Sequence, residues 1–263
     1  MSVKAVFFDL DDTLVVDEAV SCEALQATAA RAVASHGAGA ERFARDARRH
    51  AKTLWQSGPS HAFCRAIGIS AFECLWGKFE GGTPDLRQLR EWSHAYREQV
   101  FDSALRDQMI ESPEGAHDLA ETFARERRKL QRLMPDARET MARLSAKYTI
   151  ALLTNGAPDL QREKIAASGL ARFFKAIAVS GEHGIGKPRP EIFHRLAAEA
   201  GVDPSEAVMV GNSLERDIAG ANNAGIVSIW IKVAGSEEHH PVEPHHTITG
   251  LAELPGILEK LGG

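Results

Sequence analysis

Five short apolar runs constrain the fold of this chain more than any other feature: "AVFF" at 5–8, "YTIALLT" at 148–154, "AIAV" at 176–179, "AVMVG" at 207–211 and "IVSIWI" at 226–231. Runs of this length without polar alternation suit strands buried on both faces. Between the later runs lie segments of helical period, "DLQREKIAASG" and "PEIFHRLAAEAG", which end at Gly169 and Gly201. Glycine is the residue a helix C-terminus uses to leave the right-handed region. Strand and helix alternating in this way imply right-handed βαβ crossovers, hence an α/β, Rossmann-like fold with a doubly wound parallel sheet and helices on both faces.

More than a hundred residues separate the first run from the second, far beyond the single helix a crossover needs. That stretch contains "EALQATAARAVASHG", "AERFARDARRHAKTLWQ", "DLRQLREWSHAYREQVF" and "GAHDLAETFARERRKLQRL", all with apolar residues at three- and four-residue spacing. The expected organisation is an α/β core of residues 1–16 and 134–263, interrupted by a helical domain at 17–133. Met134 and Pro135 mark the return, because proline resists continuing a helix. The basic run "RERRKLQR" at 125–132 reads as a solvated helix face.

With 44% hydrophobic residues and a formal net charge of −5, the 263-residue chain has material for a sizeable core and no electrostatic reason to bind nucleic acid. No apolar stretch approaches the roughly 20 residues that span a bilayer. The N-terminus lacks the basic flank, apolar stretch and small-residue site of a secretory signal. Cys22, Cys64 and Cys74 have neither C-x-x-C nor metal-ligand spacing, which favours packing thiols in a reducing cytoplasm.

In an open α/β sheet, ligands bind beyond the carboxyl ends of the strands. The residues just after the runs are Asp9, Asp11 and Thr13; Thr154, Asn155 and Gly156; "GEHGIGKPRPEIF" with Lys187; and Asn212, Ser213 and Asp217. Together they suit phosphoryl transfer. Asp9, at a strand tip, can attack phosphorus and form an aspartyl phosphate. Asp11, two residues on, fits the acid/base part, protonating the leaving oxygen and later deprotonating water. Asp9, the main-chain carbonyl of Asp11 and a ligand from the 212–217 loop, Asn212 or Asp217, can hold Mg²⁺ through oxygen. Thr154 and Asn155, ahead of a helix opened by Pro158, offer hydroxyl and N–H groups to a phosphate, and Lys187 adds a positive charge. Asp12, needed by none of this, reads as structural.

With these motifs in order, the sequence resembles the haloacid dehalogenase superfamily of phosphohydrolases. The resemblance rests on "DLDDT", "LLTNG", Lys187 in "GKPRPEIF" and "VGNSLERDIAGANNAG", and covers about 1–16 and 134–235. "TNGAPDLQREKI" and "VMVGNSLERDIAGANNAG" are most similar to the subgroup of N-acylneuraminate-9-phosphatase and pyrimidine 5'-nucleotidases. The resemblance implies a helical cap between the first two motifs. It also implies Asp9 as nucleophile, Asp11 as acid/base, Thr13, Thr154, Asn155, Gly156 and Lys187 at the phosphate, Lys187 among the catalytic groups, and Mg²⁺ as cofactor. The implied reaction is hydrolysis of a small phosphorylated metabolite, of sugar phosphate or nucleotide type.

One departure matters. The fourth motif usually opens Gly-Asp, and here it is Gly211-Asn212. An amide oxygen still ligates Mg²⁺ but brings no charge, so metal affinity should be weaker, partly offset by Asp217. Family dehalogenases carry Asn near this point but lack the second aspartate of the first motif, so Asp11 favours phosphate esters. A phosphomutase of the same superfamily and a non-catalytic binding module also fit the motifs, and a homo-oligomer is compatible with every one of these readings. Trp55, Trp76, Trp92, His61, His94 and Arg97 in the inserted helices are candidates to face substrate, with core packing the stronger expectation. His239, His240, His245 and His246 read as a solvated loop rather than a metal site.

Overall fold

The computed structural model describes residues 2–233 and 241–262. Among these residues six strands form one sheet: β1 (Ala5–Phe8), β2 (Thr149–Thr154), β3 (Ala176–Val179), β4 (Ala207–Gly211), β5 (Val227–Ile231) and β6 (His246–Ile248). Their order is β3-β2-β1-β4-β5-β6, and every neighbouring pair is parallel. The chain starts in the middle and winds outward to both edges. This places the end of β1 between β2 and β4, where loops from both halves of the sheet converge.

Among the described residues, twelve α-helices accompany the sheet: α1 (Glu18–His36), α2 (Ala40–Ser57), α3 (His61–Ile67), α4 (Ala71–Cys74), α5 (Pro84–Arg106), α6 (Pro113–Lys129), α7 (Ala137–Ser145), α8 (Pro158–Ser168), α9 (Ser180–His183), α10 (Pro190–Ala200), α11 (Ala219–Asn223) and α12 (Leu254–Gly262). Chain contacts divide the molecule into two compact units. One comprises Met1–Asp17, Arg132–Gly156 and Gln161–Gly263; the other comprises Glu18–Gln131 and Ala157–Leu160.

In the α/β unit successive strand residues feed different cores, as the period of two demands. Val6 and Phe8 join Leu152, Val208 and Val210 under Met141 of α7, Ile165 of α8 and Leu258 of α12. Ala5 and Phe7 join Leu153 and Met209 against Ile192, Phe193 and Leu196 of α10. Burial on both faces is why these strands show no polar alternation. β6 was not anticipated: it runs beside β5 with Ile229 opposite His246 and Ile231 opposite Ile248. His246 thus belongs to a three-residue edge strand, and His245 Nδ1 accepts a hydrogen bond from the Ser228 N–H at 3.2 Å, so neither lies in a free loop. His239 and His240 lie outside the described residues.

The helical unit packs α1 against α2 and α6, and α5 against α2 and α6, closing a four-helix ring. Phe101 sits at its centre, 6.0 Å from Phe43 and 6.2 Å from Phe123 between ring centroids. Ala157, just ahead of α8, and Leu160, in its first turn, belong to this apolar cluster, although the sequence placed them with the α/β core. Trp76 is buried in it, while Arg97 donates to the carbonyls of Cys74 and Gly77. Trp92 packs on Tyr96 and Trp55 on His61, while His94 is exposed. Cys64 and Cys74 are buried free thiols, and burial pushes the Cys74 thiol well above its ordinary range.

The basic run is not uniformly solvated. Arg125 and Lys129 are exposed, but Arg127 falls on the stripe of Ala116, Ala120, Phe123 and Ala124 and is itself buried. Its guanidinium donates to Ser21 Oγ at 3.0 Å and lies 4.7 Å over the Trp76 ring. Helical geometry turns each residue by about 100°, so one member of any such run must face inward. No helix among the described residues is long and apolar enough to cross a membrane.

Candidate active site

Beyond Phe8 the ladder continues for one bond, Asp9 N–H to the Val210 carbonyl at 2.9 Å, which fixes Asp9 at the tip of the central strand. The chain then tightens around the Leu10 carbonyl, which accepts from the N–H groups of Leu14 and Val15 at 2.9 and 3.0 Å. Asp12 takes the left-handed conformation (φ 56°) that aspartate tolerates, and its Oδ1 accepts the Asp17 N–H at 2.8 Å. Its side chain holds the turn.

Lys187 is buried, and its Nζ lies 2.5 Å from Asp9 Oδ1 and 2.7 Å from Asp217 Oδ1. Asp217 comes from a single turn of π-helix, Leu214–Ile218, a rare geometry frequent at functional sites. Its Oδ2 also accepts the Ser213 N–H at 3.0 Å. Two carboxylates therefore share one ammonium, and one negative charge is left over. Burial, with the Asp9 charge added, pushes the Asp217 carboxyl up to about 6 despite the opposing pull of Lys187. Burial opposes the Lys187 charge, but the carboxylates of Asp217 and Asp9 outweigh it and raise that pKa. Gly211 makes the close approach feasible, since a Cβ there would collide with the Asp217 carboxylate.

Asn155 and Gly156 both make hydrogen bonds at the end of β2. The Asn155 amide donates to the Lys187 carbonyl at 3.0 Å and accepts the Lys187 N–H at 2.9 Å, clamping that residue's backbone. The Gly156 N–H donates to Ser180 Oγ at 2.9 Å. The Asn155 contacts fix the loop that presents Lys187, and the Gly156 contact joins the end of β2 to α9. Thr13 is fully buried, with Oγ1 3.5 Å from Asn212 Oδ1, and the Asn212 carbonyl accepts from Trp230 Nε1 at 2.9 Å.

Asp11 has a different environment. Lys164 Nζ donates to its Oδ1 and Oδ2 at 3.0 and 2.9 Å, and the same ammonium lies 2.9 Å from Asp17 Oδ1. Gln161 Nε2 donates to Asp11 Oδ2 at 3.3 Å, while Gln161 Oε1 accepts the Thr154 hydroxyl at 3.0 Å. Sequence reasoning passed over Gln161 and Lys164. A signal existed: both stand on the inward stripe of α8 with Leu160, Ile165 and Ser168, where a polar residue needs a buried partner.

Chemically, the cluster offers a carboxylate neutralised by a buried cation, and a second carboxylate two residues away held by a separate set of donors. Among the described residues no three His, Cys, Asp or Glu side chains gather as a metal site. A cation here would rest on the carboxylates of Asp9 and Asp217, the Asn212 amide and the Asp11 carbonyl. That all-oxygen set suits a hard ion such as Mg²⁺.

A family model described as haloacid dehalogenase-like hydrolase matches residues 3–225. A phosphoserine phosphatase from Thermus thermophilus is 38% identical over 96% of this chain and 98% of its own length. N-acylneuraminate-9-phosphatase from Rattus norvegicus is also 38% identical, but over 49% of this chain and 53% of that protein. Among solved structures, a 2-haloacid dehalogenase from Pseudomonas syringae superposes with a TM-score of 0.60 at 26% identity, covering 98% of this chain and 99% of that one.

Proposed function

The chain belongs to the haloacid dehalogenase-like hydrolases and hydrolyses phosphoric monoesters of small metabolites, and we propose that it does so through a phosphorylated Asp9. The observation that carries this reading is the placement of Asp9 at the tip of the central strand, against the buried Lys187 ammonium. Asp9 attacks phosphorus, the P–O bond to the leaving group breaks, and Asp11 gives that oxygen its proton. Asp11 then takes a proton from the water that attacks the aspartyl phosphate; inorganic phosphate leaves and the Asp9 carboxylate is restored. Lys187 offsets negative charge brought by the substrate, in a water-poor setting where a fixed charge acts most strongly. Thr13, Thr154, Asn155 and Gly156 are the groups assigned to the phosphoryl oxygens; in the free protein the Thr154 hydroxyl donates to Gln161 Oε1 and the Asn155 amide clamps the Lys187 backbone. Asp9, Asp217, Asn212 and the Asp11 carbonyl would hold Mg²⁺, which when bound supplies charge neutralisation to the phosphoryl group.

Asp11 favours this reading over dehalogenation. Displacing a halide needs no proton for the leaving group, whereas displacing an alkoxide does. The end-to-end match to a phosphoserine phosphatase makes phosphoserine the first ester to test, followed by sugar phosphates and nucleotides. The purified chain with Mg²⁺ should release inorganic phosphate from phosphoserine or p-nitrophenyl phosphate. Asp9→Asn should lower turnover by at least about a thousandfold, the scale on which loss of a nucleophile is felt. No hydrolysis, or hydrolysis that survives Asp9→Asn, would overturn the proposal; an isomerised substrate in place of free phosphate would indicate a mutase.

A further inference from the structure

The Asp11 carboxylate is met by two side chains of α8, Gln161 and Lys164, one turn apart. Both are wholly buried, an expensive placement for a lysine and a glutamine unless their polar ends are used. Residues three apart on a helix share a face, so the amide and the ammonium approach the same carboxylate from one rigid element. Lys164 is itself fixed from the far side by Asp17, and Gln161 by the Thr154 hydroxyl. A charged carboxylate at the end of a loop has rotational freedom, and proton transfer requires one of its oxygens to lie within hydrogen-bond reach of the departing oxygen. Donors anchored at both ends remove that freedom. We infer that Gln161 and Lys164 are positioning residues for proton transfer by Asp11: they aim its carboxylate at the leaving oxygen, and the Thr154–Gln161 bond ties that aim to the strand end beside the phosphoryl group.

This inference rests on Asp11 being the general acid. It predicts a selective defect, because an alkoxide leaving group needs the proton whereas p-nitrophenolate departs without it. The quantity to follow is kcat/KM, which reports the steps up to loss of the leaving group, for phosphoserine and β-glycerophosphate on one side and p-nitrophenyl phosphate on the other. Lys164→Met keeps the length of the side chain and removes its charge. It should lower kcat/KM for the alkyl esters by about a hundredfold, in the range assigned to general acid catalysis, and that for the aryl ester by less than about tenfold. Gln161→Met should move the same ratio in the same direction by a smaller factor.

Asp11→Asn is the reference. If Asp11→Asn skews the ratio towards the aryl ester and the α8 variants skew it likewise, the inference holds. If Asp11→Asn skews it but Lys164→Met and Gln161→Met lower both substrate classes equally, α8 is merely structural here and the inference falls. If Asp11→Asn lowers both classes equally, Asp11 is not the acid, and the parent reading of Asp11 fails with the inference. Should Lys164→Met not fold, Gln161→Met carries the test alone, and an unchanged ratio overturns the inference.

Discussion

Removing the Lys187 ammonium would leave the carboxylates of Asp9 and Asp217 facing each other in a largely buried setting. Breaking a buried pair by deleting one partner typically costs about 3–5 kcal/mol, mostly as the penalty of the charge left behind. Lys187→Met should therefore lower unfolding stability by about 3 kcal/mol or more in urea titrations with chelator present. Lys187→Met combined with Asp217→Asn should recover part of that loss, and purely additive costs would show that the two groups do not share a charge. Asn212 poses a second residue-level question, since an amide replaces the charge that a family member usually places there. Asn212→Asp should shift the Mg²⁺ titration midpoint of phosphatase activity to lower concentration by about tenfold, the effect of adding an anionic oxygen ligand. An unchanged midpoint would remove position 212 from the ligand set. The position of Asp9 at the tip of the first strand was legible in the sequence because it directly follows an uninterrupted apolar run. The engagement of Asn155 with the Lys187 backbone was not, because nothing in "TNG" shows where a loop 32 residues away will lie.

Individual helices show what patterning reveals and what it hides. Arg127 and Arg125 are two residues apart on α6, and composition treats them alike. Arg127→Met should cost about 2–3 kcal/mol, through a lost charge-assisted hydrogen bond to Ser21 and a lost cation–π contact with Trp76, whereas exposed Arg125→Ala should stay within about 0.5 kcal/mol. Equal costs in thermal or urea unfolding would show that the inward placement contributes nothing. Between α5 and α6, His117 Nδ1 lies 2.7 Å from Glu98 Oε1, and that bond, with the Glu98 charge, raises the imidazole pKa. Its folded pKa exceeds the unfolded value, so the stabilising contribution is fully present below about pH 6.5 and is lost as pH rises through the folded value. An NMR titration should find His117 above ordinary histidine, returning towards it in Glu98→Gln; no change would mean the pair is not formed in solution. The five main strands could be read because burial on both faces leaves uninterrupted apolar runs. β6 escaped because three residues on a sheet edge carry no such run, and Gln161 and Lys164 escaped because polar residues on a helix pass for solvated ones unless their stripe with Leu160, Ile165 and Ser168 is noticed.

Across the whole molecule, the boundary between the two units does not follow the boundary between sequence motifs. The helical unit has one apolar cluster and the α/β unit one on each side of its sheet; Ala157 and Leu160, at the start of α8, join the helical one while Ile165, further along α8, serves the sheet. Four residues after the "TNG" turn, then, the chain is part of the core that also contains Phe43, Phe101 and Phe123. Insertion of a helical segment was visible as the long gap between the first two apolar runs, but the return of residues 157–160 to that segment's core was not. Their contacts are with residues far away in sequence, and period alone does not say which of two cores a helix face meets. The arrangement makes an asymmetric prediction. Leu160→Ala removes a fully buried leucine and should cost about 2–4 kcal/mol, the range for truncation in a packed core. That loss should appear in hydrogen exchange as reduced protection of α2, α5 and α6, while the amides of β1, β2 and β4 keep theirs. Ile165→Ala should do the reverse, exposing the sheet and sparing the four-helix ring. If both variants loosen both units to the same extent, the two cores unfold as one, and the separation of clusters along α8 has no energetic counterpart.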